Sequence, residues 1–209
     1  ALATLVKAAI LSYDKNNLAG FDTLFRHSQL ISSIDNAEQS LLSNITTIKL
    51  RKNHSVVVDG TKSTIKLDFG NKLYNPHTDH NKVGGGVITS TGFFESGDTK
   101  NYFFDDDGSG NIRKYYADEA TRVYADNTAG TVDYGTGVIS INTLTYSSTS
   151  NTDDSIDFTI IPNSNDVISV RNQLLDITAS EISVTGVADT VASGETSAGV
   201  GYTTSSSYS

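Results

Sequence analysis

The spacing of bulky apolar residues changes once along this chain, and that change limits the possible folds more than any single motif. Before Thr46 these residues recur at three- and four-residue intervals; after it they alternate. Leu2, Leu5, Val6, Ala9 and Ile10 form a short helical stripe that the polar run Asp14-Lys15-Asn16-Asn17 should end. A second stripe runs through Phe21, Leu24, Phe25, Ile31, Ile34, Leu41, Leu42 and Ile45. It predicts one long helix, on the order of 35 Å at about 1.5 Å per residue.

Beyond Thr46 the period is two. Ile48 and Leu50 alternate with Lys49 and Arg51, and Ile65, Leu67 and Phe69 alternate with Thr64, Lys66 and Asp68. This is the pattern of strands with one wet face. Further strands are expected at 56–59, 87–95, 102–105, 112–117, 121–125, 137–146 and 155–161, separated by Gly, Asn and Asp clusters. Asp106-Asp107-Gly108-Ser109-Gly110-Asn111 reads as a hairpin loop and Tyr134-Gly135-Thr136-Gly137 as a tight turn. The expected class is therefore α+β: a helical N-terminal arm (1–46) followed by a mostly antiparallel β domain (47–188). Of the last 21 residues, 189–209, 13 are Ser, Thr or Gly. Such a low-complexity C-terminal tail has too little apolar surface to offset its own ordering entropy.

Composition removes several function classes. Apolar residues make up 37% of the chain without its 17 glycines, and roughly 45% with them, enough for a real core. No apolar run is long enough for a membrane-spanning helix. Without cysteine, disulfide scaffolds, thiolate metal sites and cysteine nucleophiles are excluded. A net charge of −9 argues against a partner recognised through its phosphates. The absence of methionine and the start at Ala1 lead us to expect a portion of a longer chain, and no signal-peptide pattern is present.

Few residues suggest a chemical site. Asp105-Asp106-Asp107-Gly108-Ser109-Gly110-Asn111 resembles the start of a calcium loop, which makes Asp105 and Asp107 candidate ligands. The twelfth position is Tyr116 where a bidentate Glu belongs, so an acidic hairpin tip is the competing reading. His77-Thr78-Asp79-His80 offers metal-binding side chains, but in a glycine-rich loop rather than on rigid elements. His27 and His54 have no acid and nucleophile framing them, Asp153-Asp154 lies in a polar loop, and no Gly-x-Ser-x-Gly elbow occurs. Asn44-Ile45-Thr46 and Asn53-His54-Ser55 match the short glycosylation pattern, which is frequent by chance. No catalytic site and no cofactor are expected.

Three segments, in order, carry a resemblance. They are Phe103-Phe104-Asp105-Asp106-Asp107-Gly108-Ser109-Gly110-Asn111-Ile112-Arg113, then Gly130-Thr131-Val132-Asp133-Tyr134-Gly135-Thr136-Gly137-Val138-Ile139-Ser140-Ile141, then Ile160-Ile161-Pro162-Asn163-Ser164-Asn165-Asp166-Val167-Ile168-Ser169-Val170-Arg171-Asn172-Gln173-Leu174-Leu175. With Val6-Lys7-Ala8-Ala9-Ile10-Leu11-Ser12-Tyr13 and the stretch from Ile34 to Arg51, they resemble the C-terminal part of the large baseplate wedge subunit of T4-like contractile-tailed phages, the product of gene six. The resemblance covers most of residues 5–178 and stops before the tail.

It implies a structural virion protein without catalysis, located in the tail baseplate and assembled in the host cytoplasm. It also implies a chain that dimerises, contacts other wedge proteins and links neighbouring wedges into the ring around the tail tube. Neither nucleic acid nor a membrane is an expected partner. Arg171, Asn172 and Gln173 set planar polar donors between Val170 and Leu174, which makes them interface candidates. The competing reading is an arginine that buttresses a turn through backbone carbonyls. The alternative function is a carbohydrate- or host-surface-binding β module of a phage tail, suggested by Tyr-, Ser- and Thr-rich strands with acidic loops.

Overall fold

The computed structural model describes residues 2–80, 86–169 and 173–188. It is α+β, with helices first and an antiparallel, barrel-like sheet after them, as the change of period implies. Helix α1 spans Leu2–Asn17 and buries Val6, Ile10 and Tyr13, the i, i+4, i+7 stripe of one helical face. Asp14-Lys15-Asn16-Asn17 forms its last turn, and Leu18 is buried just beyond it.

The long second helix does not form. Residues 20–22 turn, with Asp22 in the left-handed region at φ 56°, and Leu24–Phe25 make a two-residue strand, β1. Helix α2 covers only His27–Asp35, about 13 Å at 1.5 Å per residue, and buries Leu30 and Ile34. Residues 40–49 lie outside any helix or strand, and Leu42 and Ile45 are exposed. Helical spacing in the sequence was therefore satisfied by three different local structures.

The strands that follow are β2 Leu50–Ser55, β3 Lys62–Asp68, β4 Ile88–Ser90, β5 Phe93–Glu95, β6 Tyr102–Asp106, β7 Asn111–Asp118, β8 Thr121–Asp133, β9 Val138–Thr149, β10 Ser155–Ile160 and β11 Val167–Ile168. Nine of them form one sheet in the order β2-β10-β4-β6-β5-β9-β8-β7, with β3 beside β9. The additional β6–β7 pairing joins strands at separate places in that order, so β5, β6, β7, β8 and β9 close into a ring. Closure removes the open edges that antiparallel sheets otherwise expose. Two expected strands differ. Residues 56–58 are outside any strand although Val56 is buried, and 87–95 is split at Thr91-Gly92. A Cβ at Gly92 would collide with the side chains of Asn101 and Ser150, which pack against the break between the two strands.

Two clusters of buried side chains result. The barrel interior holds Ile65, Leu67, Phe93, Phe104, Ile112, Ile139, Tyr146, Ile156 and Phe158 with their neighbours. The second cluster contains Val6, Ile10, Tyr13, Leu18, Phe25, Leu30, Ile34 and Val167. Leu175, Ile177, Ile182 and Val184 pack against it, so chain that follows the barrel completes the core of the arm.

Tyr13 ties the arm together. Its hydroxyl donates to the Arg26 carbonyl and accepts from the Arg26 amide, both at 3.2 Å, at the point where α2 begins. Tyr13→Phe takes this acceptor from the Arg26 amide in a half-buried place, while the Arg26 carbonyl keeps the Gln29 and Leu30 amides, and is expected to cost about 1–2 kcal/mol. Urea unfolding measures this; an unchanged midpoint would show that water replaces the hydroxyl.

Candidate interaction surface

Period two places Tyr102 and Phe104 of β6 inside the barrel and Phe103 and Asp105 on its outer face. Register sets Tyr115 opposite Phe103, Arg113 opposite Asp105 and Tyr124 opposite Tyr115. Between Ile112 and Tyr115 the β7–β8 ladder is irregular, which is where Arg113 leaves regular pairing.

Asp105 is fully buried and lies among three donors: Arg113 Nε at 2.9 Å, an Arg122 guanidinium nitrogen at 2.8 Å and the Tyr124 hydroxyl at 2.9 Å. Arg113 also donates to the Asp106 carbonyl at 2.7 Å. Burial pushes the Asp105 carboxyl above its usual range, and the hydrogen bonds and charges of Arg113, Tyr124 and Arg122 pull it back. The rings continue the assembly. Phe103 stacks on Tyr115 at 5.6 Å, Arg113 lies 4.3 Å from the Tyr124 ring centre and Arg122 lies 4.6 Å from that of Tyr115. Two guanidiniums on one carboxylate clamp three strands, with ring faces as additional partners for the cations.

This arrangement settles how Asp105 is used. Its oxygens face two guanidiniums, whose positive charge opposes a calcium ion at the same place. Asp107 has a separate task at the hairpin tip, accepting from the backbone amides of Ser109 and Asn111 and from the Asn111 side chain. Burial alone would raise its pKa, but these hydrogen bonds outweigh it and hold the carboxyl below its usual range. Gly108 and Gly110 adopt φ 78° and 104°, and 107–110 is the hairpin loop read from the sequence.

The His-Thr-Asp-His run packs on that hairpin. The side chain of Ser109 donates to Asp79, and His80 Nε2 lies 3.9 Å from a buried Asp106 oxygen. Asp106 accepts from the Ile88 amide at 2.9 Å and from the Tyr134 hydroxyl at 2.6 Å. Among the described residues, no group of three or more His, Asp or Glu side chains is placed to hold a metal ion. His27 opens α2 and His54 sits on β2 beside Ile156, where burial lowers its pKa.

Apolar exposure is concentrated elsewhere. Of the ten large hydrophobic side chains exposed among the described residues, Leu5, Phe21, Leu24, Leu42 and Ile45 lie within the first 53 residues. Leu24 of β1 sits opposite Ile168 of β11, and both are exposed, at 36% and 59%. Sequence reading missed this pair because two-residue strands leave no period to detect. It also missed the Arg122–Tyr124 half of the Asp105 clamp, although Arg113-Lys114-Tyr115 and Arg122-Val123-Tyr124 repeat the same alternation. Gln173 and Leu174 are exposed, whereas Arg171 and Asn172 fall outside the described residues.

None of the curated proteins matches the chain. One family model does, over residues 1–53, which covers α1, β1, α2 and the first residues of β2. The three segments of the β domain that carried the resemblance lie beyond that match. A structural role in a baseplate is what the match supports for these residues. The N-terminal 53 residues, the arm whose exposed apolar side chains have just been described, are similar to the family described as baseplate structural protein gp6, C-terminal domain III.

Proposed function

We propose that this chain is a structural component of a phage tail baseplate wedge that self-associates, as a dimer, and links neighbouring wedges into the baseplate ring. Its partners are a second copy and other wedge proteins, in virions assembled in the host cytoplasm. The observation that carries this reading is the coincidence of two facts on one segment. Residues 1–53 match a baseplate structural family, and they also hold half of the exposed large apolar side chains. On a segment with such a match, these side chains are the natural candidates for contact with another protein.

The alternative, a carbohydrate- or host-surface-binding β module, draws on the outer rings Phe103, Tyr115 and Tyr124. Sugar stacking needs an open ring face. Here Tyr115 is covered by Phe103 and Arg122, and Tyr124 by Arg113. That geometry favours a structural clamp over a sugar platform.

Light scattering across a concentration series tests self-association. A dimer mass is expected, and a constant monomer mass up to the solubility limit would sink that part of the reading. Immunogold labelling of virions tests location, since label on the head or the fibres contradicts a baseplate role.

A further inference from the structure

The ribbon formed by β1 and β11 is the smaller of the two sheets among the described residues. Its register pairs Leu24 with Ile168 and Phe25 with Val167. Arg26, still extended at φ −106° and ψ 110°, continues it opposite Asp166, and their side chains form an ion pair at 3.2 Å. Alternation gives the ribbon two unlike faces. Phe25 and Val167 are buried in the core of the arm. Leu24, Ile168, Arg26 and Asp166 occupy the other face, and the two charged side chains are 51% and 41% exposed.

We infer that this outer face is the centre of a two-fold contact with a second copy of the chain. The inference rests on the self-association proposed above and adds its location. The face is balanced: an apolar pair at one end, and one cation and one anion at the other. A partner recognised by charge alone would call for a surface of one sign. A balanced face is complementary to itself, because a two-fold rotation that stacks one Leu24–Ile168 pair on the other carries each Arg26 towards the opposite Asp166. The four side chains do not fill the roughly 800 Å² per partner that a stable interface needs. They form its centre, and the surrounding arm, with Phe21 exposed in the turn before β1, continues it.

Charge placed at the axis tests this. Leu24 and Ile168 both lie on the face turned away from the core, so Ile168→Asp and Leu24→Arg leave the core untouched, which thermal unfolding by circular dichroism checks. The rotation that brings Arg26 to the opposite Asp166 also brings Ile168 to the opposite Leu24, so each variant alone sets a charge against an apolar side chain of the second copy. Sedimentation equilibrium should show each one weakened in self-association by about tenfold or more. An equimolar mixture pairs opposite charges and should recover the dimer. If the wild-type chain is a dimer and both variants dimerise equally well, self-association stands and the ribbon is not its site. If each variant is monomeric and the mixture stays monomeric, Ile168 does not face Leu24 of the second copy and the two-fold geometry is wrong. If the wild-type chain is itself monomeric, the inference fails together with the reading beneath it.

Discussion

Asp105→Ala is expected to destabilise the chain by about 3–5 kcal/mol, because it removes a fully buried carboxylate from between two guanidiniums. The cost lies mainly in what remains. Arg113 is only 5% exposed, so its charge would lose the Asp105 carboxylate where solvent cannot replace it. Arg122→Ala should cost far less, about 1 kcal/mol, because its side chain is 34% exposed and water can take over. The order of the two effects is the test. A double variant, Asp105→Leu with Arg113→Met, removes both buried charges and should recover much of the loss, as apolar replacement of buried ion pairs often does. Chemical unfolding of the three variants measures all of this. Equal effects for Asp105→Ala and Arg122→Ala would mean that the clamp is not a buried network.

The residues differ in how far their sequence disclosed this. The strands were legible because period two is enforced by the core: Ile65, Leu67, Ile139, Ile141 and Phe158 are buried beside Thr64, Lys66, Ser140 and Asp157, which are not. Asp107, Gly108 and Gly110 declared a hairpin through backbone chemistry that few other residues supply. The arm was less legible. Phe25 carries helical spacing but is held in a strand by Val167, which lies far along the chain, and no local pattern records that pairing. Helix α2 starts at His27, where the backbone amide donates to the side chain of Asp166 at 3.0 Å, another contact across the whole barrel. The acidic hairpin shows a related limit. Asp105 has the right spacing for a ligand, yet Arg113 and Arg122 reach it from neighbouring strands, and spacing along one segment does not show what the next strand brings.

The inside and outside of β6 give the second large effect. Phe104 is fully buried, stacked on Phe93 at 4.6 Å and on Phe158 at 5.8 Å, so three strands meet through its ring. Phe104→Ala should cost about 3–5 kcal/mol, from the lost transfer energy and the cavity that a closed barrel cannot collapse to fill. For a chain of this size each kcal/mol lowers Tm by roughly 2–4 °C, so a fall on the order of 10 °C is expected. Phe103 is its neighbour in sequence and bears the same side chain, but it lies half-exposed on the other face, stacked on Tyr115. Phe103→Ala should cost little more than that stacking, about 0.5–1.5 kcal/mol. Composition, helix content and strand propensity change identically in the two variants, so only the face on which each ring sits separates them. A one-residue slip of β6 would exchange the two costs. Parallel calorimetric melts that give equal losses for the pair would therefore contradict the register of β6 against β7, and with it the closure of the barrel.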